Sequence, residues 1–278
     1  YTFYNELNSF LNKTLFSDIG IYKFLKTAYN QNTWLTKCSS SIRSKYMSPK
    51  LFSINNKGLA HNKLFGLVNF SGKVDVPLLL NSFREHCILN NKIIEEKFNC
   101  TDLSITENSF VFNGITADKI IFCQGYKGIT NPFFKNIGFK PTKGEILTIY
   151  AKDLNLEKII HSKFLFIPLG ENYYSVGATY DWDDISTSNT LDAKQKIINM
   201  LDTFLKIPYK IINQKAGIRP STFDRRALVG RHKKYKQMYI LNGLGTRGIL
   251  LAPYLSHCLI KNIYEDIPLN NEININRV

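Results

Sequence analysis

Apolar residues recur at helical spacing in several stretches of the chain. This spacing predicts a helix over residues 3–15 and an amphipathic helix over residues 191–205, with Ile197, Ile198, Leu201 and Leu205 on one face. Asp75 is the candidate N-cap of a further helix, because Pro77 follows it within the first turn. A C-terminal helix is predicted over residues 249–263, where Pro253 implies an irregular first turn.

Short apolar runs bounded by turn residues predict strands, some typical of a parallel sheet and others of an antiparallel sheet. The predicted strands cover residues 19–25, 64–70, 93–98, 103–105, 109–112, 118–123, 145–150, 164–169, 173–180 and 239–242. Residues 118–123 are nearly all apolar, which indicates a strand buried on both faces of a parallel sheet. Residues 170–172 predict a hairpin, and residues 71–73 a turn.

Residues 64–133 alternate between predicted strands and helices. Residues 134–215 are typical of an antiparallel sheet, and the strand–helix pattern resumes at residue 216. This order predicts a discontinuous α/β protein of two domains.

The charge has two interpretations. The net charge is +14, and the lysines are scattered along the chain. This scatter favours compositional drift as the origin of the charge over a nucleic-acid or other anionic partner. Five of the eight arginines, in contrast, lie within one short window and indicate sites for carboxylate or phosphate. They are Arg219, Arg225, Arg226, Arg231 and Arg247.

Further features of the sequence limit the class of protein. No run of 18 apolar residues occurs, so no membrane span is predicted. The five cysteines are widely spaced and the histidines are isolated, which predicts a reducing cytoplasm and no metal site. Nothing in the sequence sets the oligomeric state.

A glycine-rich loop, Gly243-Leu-Gly-Thr-Arg-Gly248, lies between a predicted strand and the C-terminal helix. No second strand follows that helix, so the loop is not a complete dinucleotide-binding unit. Its glycines would still let a flat ligand approach the backbone beside a positive helix end. The alternative is a close-packed turn without a ligand.

Arg219 stands upstream of that loop and directly before Pro220. An arginine held in such a turn is a candidate clamp for a carboxylate. The alternative is a structural pair with Asp224.

Six ordered motifs carry a resemblance to a known family. They lie at residues 72–80, 117–125, 141–145, 167–179, 216–230 and 243–253. Together they resemble the FAD-dependent D-amino-acid-oxidase superfamily, which includes glycine oxidase and sarcosine oxidase. The resemblance implies a Rossmann-like FAD-binding domain (72–133 and 216–278), an antiparallel-sheet substrate domain (134–215) and substrate-domain or connecting elements at residues 1–71. It also implies that the FAD domain is incomplete here, lacking an N-terminal strand–GxGxxG–helix unit.

The resemblance further implies noncovalent FAD and oxidation of the C–N bond of an amino acid or secondary amine, by hydride transfer to the flavin. Arg219 and Arg247 would bind the substrate carboxylate, although glycine oxidases carry the second arginine one position earlier. The implied cofactor-contacting residues are Gly125, Gly217, Arg219, Gly243, Leu244, Gly245, Thr246, Arg247, Gly248 and Ile249. Phe166 and Tyr180 are candidate cavity walls, or plain core residues.

Two other functions stay open. The loop is also similar to that of the oxidase domain of the bifunctional enzyme that matures the tRNA wobble uridine, which would add tRNA as a partner. The second is a non-catalytic protein that keeps the fold.

Overall fold

A computed structural model describes residues 1–60 and 64–278. Within these ranges the α-helices are α1 (Thr2–Leu11), α2 (Ala28–Cys38), α3 (Val76–Leu89), α4 (Leu191–Phe204) and α5 (Gly248–Tyr264). The strands of the same ranges are β1 (Phe16–Asp18), β2 (Ile21–Leu25), β3 (Met47–Ser53), β4 (Leu64–Val68), β5 (Gly72–Val74), β6 (Ser104–Ile105), β7 (Phe110–Phe112), β8 (Ile115–Ala117), β9 (Ile120–Phe122), β10 (Thr142–Tyr150), β11 (Ile159–His161), β12 (Leu165–Gly170), β13 (Tyr173–Gly177), β14 (Lys210–Arg219), β15 (Leu228–Arg231) and β16 (Met238–Asn242).

The chain forms two compact, discontinuous units. The first comprises Tyr1–Ile93, Gly144–Tyr180 and Ser188–Ala216, and the second comprises Ile94–Lys143, Asp181–Thr187 and Gly217–Val278. The compact units change at 93/94 and 143/144, and α3 belongs to the first of them. The domain boundaries near residues 72 and 134 stay a prediction.

The first unit is built on an eight-stranded sheet in the order β14-β10-β13-β12-β11-β2-β4-β3. β11 pairs parallel with β2, whereas β10, β12 and β13 pair antiparallel. One face of α4 packs into its core, where Ile197 and Leu201 are fully buried. Each such side chain contributes about 1.5–3 kcal/mol by burial.

Phe166 lies in the same core, with no exposed surface, and stacks on Phe204 with ring centroids 4.8 Å apart. The structure thus places Phe166 in the hydrophobic core, and its role as a cavity wall stays a prediction. Tyr180, at the end of the first unit's middle segment, is 61% exposed.

The second unit contains a three-stranded sheet in the order β15-β16-β9, with β16 and β9 parallel. Alternate residues of β16 face opposite sides, as a strand requires. Tyr239 packs in a cluster with Leu255 and Leu259 of α5, and Met238 packs with Phe122 and Phe134 on the other side.

Several predicted elements differ from the structure. Residues 93–98 form no regular element, and residues 93–97 are exposed. Residues 72–74 form strand β5, paired with β1, instead of a turn. β9 is an edge strand of its small sheet, so Ile121 is 39% exposed and the strand is not buried on both faces.

Other predictions are confirmed. The side chain of Asp75 accepts a hydrogen bond from the backbone N–H of Leu78 and caps α3. Glu171 and Asn172 adopt positive φ in the predicted hairpin between β12 and β13. Beyond α5, the described residues form no strand, only an isolated bridge between Val229 and Asn274.

Within the described ranges, none of the helices combines the length and apolar character that a membrane crossing requires.

Candidate functional site

Two loops of the second unit meet at one edge of its sheet. Since β9 and β16 are parallel, their carboxyl ends lie side by side. The buried Asn242 at the end of β16 donates from Nδ2 to the carbonyl of Gly125, over 2.9 Å. Its Oδ1 accepts from the N–H of Gly243, at 2.8 Å. One amide side chain thus holds the predicted loops at 125 and 243 together.

The glycines of these loops are required for different physical reasons. Gly125 has φ +59°, and a Cβ there would meet nothing within 4 Å. Gly243 has φ +72°, and its Cβ would lie 2.9 Å from Cγ2 of Thr222. Gly243 is therefore required by close packing as well as by its backbone, whereas Gly125 presents bare backbone to open space.

Helix α5 begins immediately after the loop. A short 3-10 turn over Gly245–Arg247 leads into it, and no side chain caps its start. The partial positive charge of a helix start therefore faces the loop. Thr246, Arg247 and Ile249 are exposed at this end, whereas Leu244 packs against the core on α5.

Arg219 is the last residue of β14, and its segment is joined to the glycine loop. The N–H of Gly245 donates to the carbonyl of Pro220 over 3.2 Å. The Arg219 guanidinium donates from Nη1 to the carbonyl of Lys143 at 3.1 Å, which orients the group. The structure thus brings Arg219, Gly125 and the loop 243–248 into one hydrogen-bonded assembly within the second unit.

Asp224 is not the partner of Arg219. Its carboxylate binds Arg277, whose Nε donates to Oδ2 over 2.8 Å, and it also accepts from the N–H of Arg226. The hydrogen bond from Arg277 lowers the pKa of Asp224 to about 2. The proposed Arg219–Asp224 pair is therefore wrong, because Arg277, 53 positions along the chain, occupies that carboxylate.

Lys143 is a residue of this assembly to which the sequence assigned no role. Its side chain is buried, and Nζ lies 2.5 Å from Oδ2 of Asp184 and 3.4 Å from Oγ of Ser186. The hydrogen bond from Lys143 lowers the pKa of Asp184 to about 2, so this carboxylate is ionised at neutral pH. The motif at residues 141–145 includes Lys143 and is the feature of the sequence that could have identified it. Its partner Asp184 could not be identified in this way, because it lies 41 positions away.

Arg247 donates from Nη2 to the carbonyl of Arg225, over 2.6 Å. Gly217 lies within β14, where a Cβ would meet nothing within 4 Å. Contact of either residue with a ligand stays a prediction.

The residues of this assembly fit a flavin dinucleotide. Bare backbone at Gly125 admits a flat group, and the uncapped start of α5 suits its anionic end. Among the described residues, no three His, Cys, Asp or Glu side chains converge as metal ligands.

Comparison with known proteins identifies the family of the chain. The sequence pattern of the DAO family, described as FAD dependent oxidoreductase, matches residues 35–261. The chain belongs to this family of FAD-dependent oxidoreductases.

Two relatives illustrate the range within the family. The chain is 30% identical to glycine oxidase of Bacillus subtilis over 149 residues, which are 51% of this chain and 39% of that protein. It is 20% identical over 153 residues to the tRNA 5-methylaminomethyl-2-thiouridine biosynthesis bifunctional protein MnmC of Idiomarina loihiensis, covering 52% of this chain and 25% of that protein. The matched region thus spans well under half of these relatives' length.

The fold is also similar to solved structures. Glycine oxidase from Bacillus cereus superposes with a TM-score of 0.79 at 17% identity, covering 96% of this chain and 79% of that one. Iminodiacetate oxidase from Chelativorans gives a TM-score of 0.78 at 17% identity, covering 98% and 81%. The likeness establishes the two-domain flavoenzyme fold.

Proposed function

We propose that the protein oxidises the C–N bond of a small amino acid or secondary amine with noncovalently bound FAD. The observation that carries this proposal is the hydrogen-bonded assembly of Gly125, the loop 243–248 and Arg219 within the second unit. The similarity to glycine oxidase of Bacillus subtilis supports the substrate class.

The chain's own residues would bind and orient. Bound FAD would supply the two-electron acceptor for the reaction. Backbone at Gly125 and at Gly243–Gly248 would lie along the cofactor, and the start of α5 would favour negative charge there. Ile249 and Leu244 flank that start, and no cysteine occurs in the loop to attach a flavin.

Arg219 would hold the substrate carboxylate. Its guanidinium is oriented by the Lys143 carbonyl, and the Lys143–Asp184 ion pair fixes the segment that carries that carbonyl. A planar guanidinium binds a carboxylate through two parallel hydrogen bonds, which sets the orientation of the substrate. Arg247 is the second candidate for such a contact.

The test compares two arginine-to-methionine variants. Arg219→Met is expected to raise the half-saturating amino-acid concentration for anaerobic flavin reduction by roughly 100-fold, because a charge-assisted bidentate contact is lost. Arg226→Met, which removes an exposed arginine paired with Glu272, is the matched control and should leave that concentration unchanged. Equal half-saturating concentrations in the two variants would remove Arg219 from substrate binding.

A second candidate function is oxidation within tRNA modification. The similarity to the bifunctional protein of Idiomarina loihiensis favours it, and the net charge of +14 is compatible with it. It requires salt-dependent binding of tRNA, which a filter-binding titration at two salt concentrations measures. Absence of binding at low salt excludes it.

We also propose a cytoplasmic location. All five cysteines lie within the described residues and are free thiols, as is typical of a reducing compartment.

A further inference from the structure

A basic cavity in the first unit is separate from the residues assigned above. It has a volume of about 540 Å³ and lies among β2, β4, β11 and α2. Volumes of this size accommodate small organic molecules. Its lining includes Lys23, Lys37, Arg43, His161 and the ring of Trp34.

The pairing of β2 and β11 places two of these basic groups next to each other. Lys23 and His161 are directly opposite in the parallel register. Lys37 adds a charge from α2. None of the described residues lining the cavity is acidic, and no described carboxylate pairs with Lys23, Lys37 or Arg43.

This crowding has an electrostatic consequence. Burial and the neighbouring Lys37 lower the pKa of Lys23, and burial together with Lys23 lowers the pKa of His161. The remaining repulsion is between the Lys23 and Lys37 ammonium groups, and an anion lying between them would relieve it.

The aromatic wall of the cavity is held in place by the backbone. A Cβ on Gly66 of β4 would fall 2.1 Å from the Trp34 ring, so only glycine lets the indole lie flat against the sheet. Trp34 Nε1 donates to the carbonyl of Ser48 over 2.9 Å and fixes the ring. The cavity thus combines a positioned aromatic surface with uncompensated positive charge.

We propose that this cavity binds a compact organic dianion of metabolite size, such as a phosphate monoester or a dicarboxylate. Several cationic donors converge without a protein counter-charge, so a dianion matches them better than a neutral molecule does. Trp34, Leu25 and Val68 provide apolar contact for the organic part. The proposal does not depend on the flavin chemistry proposed above.

The test uses Trp34 as its own reporter. The chain has two tryptophans, so Trp182→Phe leaves Trp34 as the only indole. In that background we expect saturable changes in fluorescence with glycerol 3-phosphate or succinate and none with glycerol. Calorimetric titration in parallel detects binding that leaves the fluorescence unaltered.

Two variants, each with one lysine replaced by glutamine, distinguish a specific binding site from a general excess of positive charge. Lys23→Gln should weaken dianion binding by at least about tenfold. Lys152→Gln, at an exposed lysine of the same unit outside the cavity, should leave it unchanged. Without ligand, Lys23→Gln should melt at or above the wild-type temperature, since it removes repulsion. With saturating dianion the wild type should melt higher.

The proposal is overturned if neither dianion binds saturably, or if Lys23→Gln and Lys152→Gln alter binding equally. Either result would make the cavity a solvated cationic surface.

Discussion

Buried and half-buried charges of the second unit determine which residues can act on a substrate. Arg219 is oriented by a backbone carbonyl, while Asp224 is bound by Arg277 and Asp184 by Lys143. The two acids are therefore occupied by structural partners. Arg219, oriented by the Lys143 carbonyl, stays the candidate for binding an anionic group.

The Lys143–Asp184 pair leads to a prediction about acid stability. The pKa of Asp184 is lowered from 3.8 to about 2, so its contribution to stability is present above pH 3.8 and is lost as the pH falls towards 2. Asp184→Asn should lower the free energy of unfolding at neutral pH, because it removes the carboxylate that accepts the hydrogen bond from the buried Lys143 side chain. It should also reduce the loss of stability on acidification over that window. Urea unfolding at several pH values measures both effects.

The control for that prediction makes the same chemical change one position away. Asp183 is exposed, so Asp183→Asn should leave the stability at neutral pH close to that of the wild type. Equal destabilisation by the two variants would contradict a structural role for the pair.

Candidate residues could be predicted from the sequence, but the residues that they contact could not. Arg219 and the glycines stood out because arginine clusters and glycine spacing are local signals. The contacts of Arg219 with Lys143 and of Lys143 with Asp184 span 76 and 41 positions, and no local pattern encodes them. Phe166 shows the same limit, because a strand aromatic looks alike whether it faces a cavity or a core.

Loops at the ends of parallel strands are the elements on which the candidate site depends. Gly125 follows β9 and Gly114 follows β7, and both have positive φ with no atom within 4 Å of a built Cβ. They are therefore matched in backbone strain. They differ in that Gly125 is linked through Asn242 to the glycine loop.

This match gives a prediction about cofactor binding. Gly125→Ala and Gly114→Ala should each cost about 1 kcal/mol of stability, since alanine resists positive φ. Gly125→Ala alone should weaken FAD binding, by at least about tenfold, because the added methyl occupies the face proposed to meet the cofactor. Quenching of flavin fluorescence in a titration measures the affinity. Equal affinities for both variants would place the cofactor elsewhere.

Elements with strong periodicity were predicted well, and isolated apolar runs were not. Helix α4 was expected over residues 191–205 and occupies Leu191–Phe204, because its apolar face repeats every three to four residues. Residues 93–98 were expected to form a strand and do not. A strand needs a partner for its backbone groups, and the identity of that partner is a property of the whole sheet.

The whole chain consists of two units, each assembled from separate segments. The sequence indicated this discontinuity from the antiparallel block between two strand–helix regions. Helix α3 lies in the first compact unit, which the sequence did not indicate, because local pattern does not reveal which sheet a helix covers. Membership of the FAD-dependent oxidoreductase family rests on residues 35–261, which extend over segments of both units.

The proposed function is that this protein, loaded with FAD, oxidises a small amino acid or secondary amine. The most direct measurement is the visible flavin absorbance of the FAD-loaded protein mixed anaerobically with a panel that includes glycine, sarcosine, D-alanine, L-proline and iminodiacetate. We expect that at least one of these amines bleaches the flavin with saturable kinetics, and that admitting oxygen or an artificial electron acceptor restores the absorbance. Bound flavin that no amine in the panel reduces, while dithionite reduces it fully, would rule out the proposed oxidation of these amines.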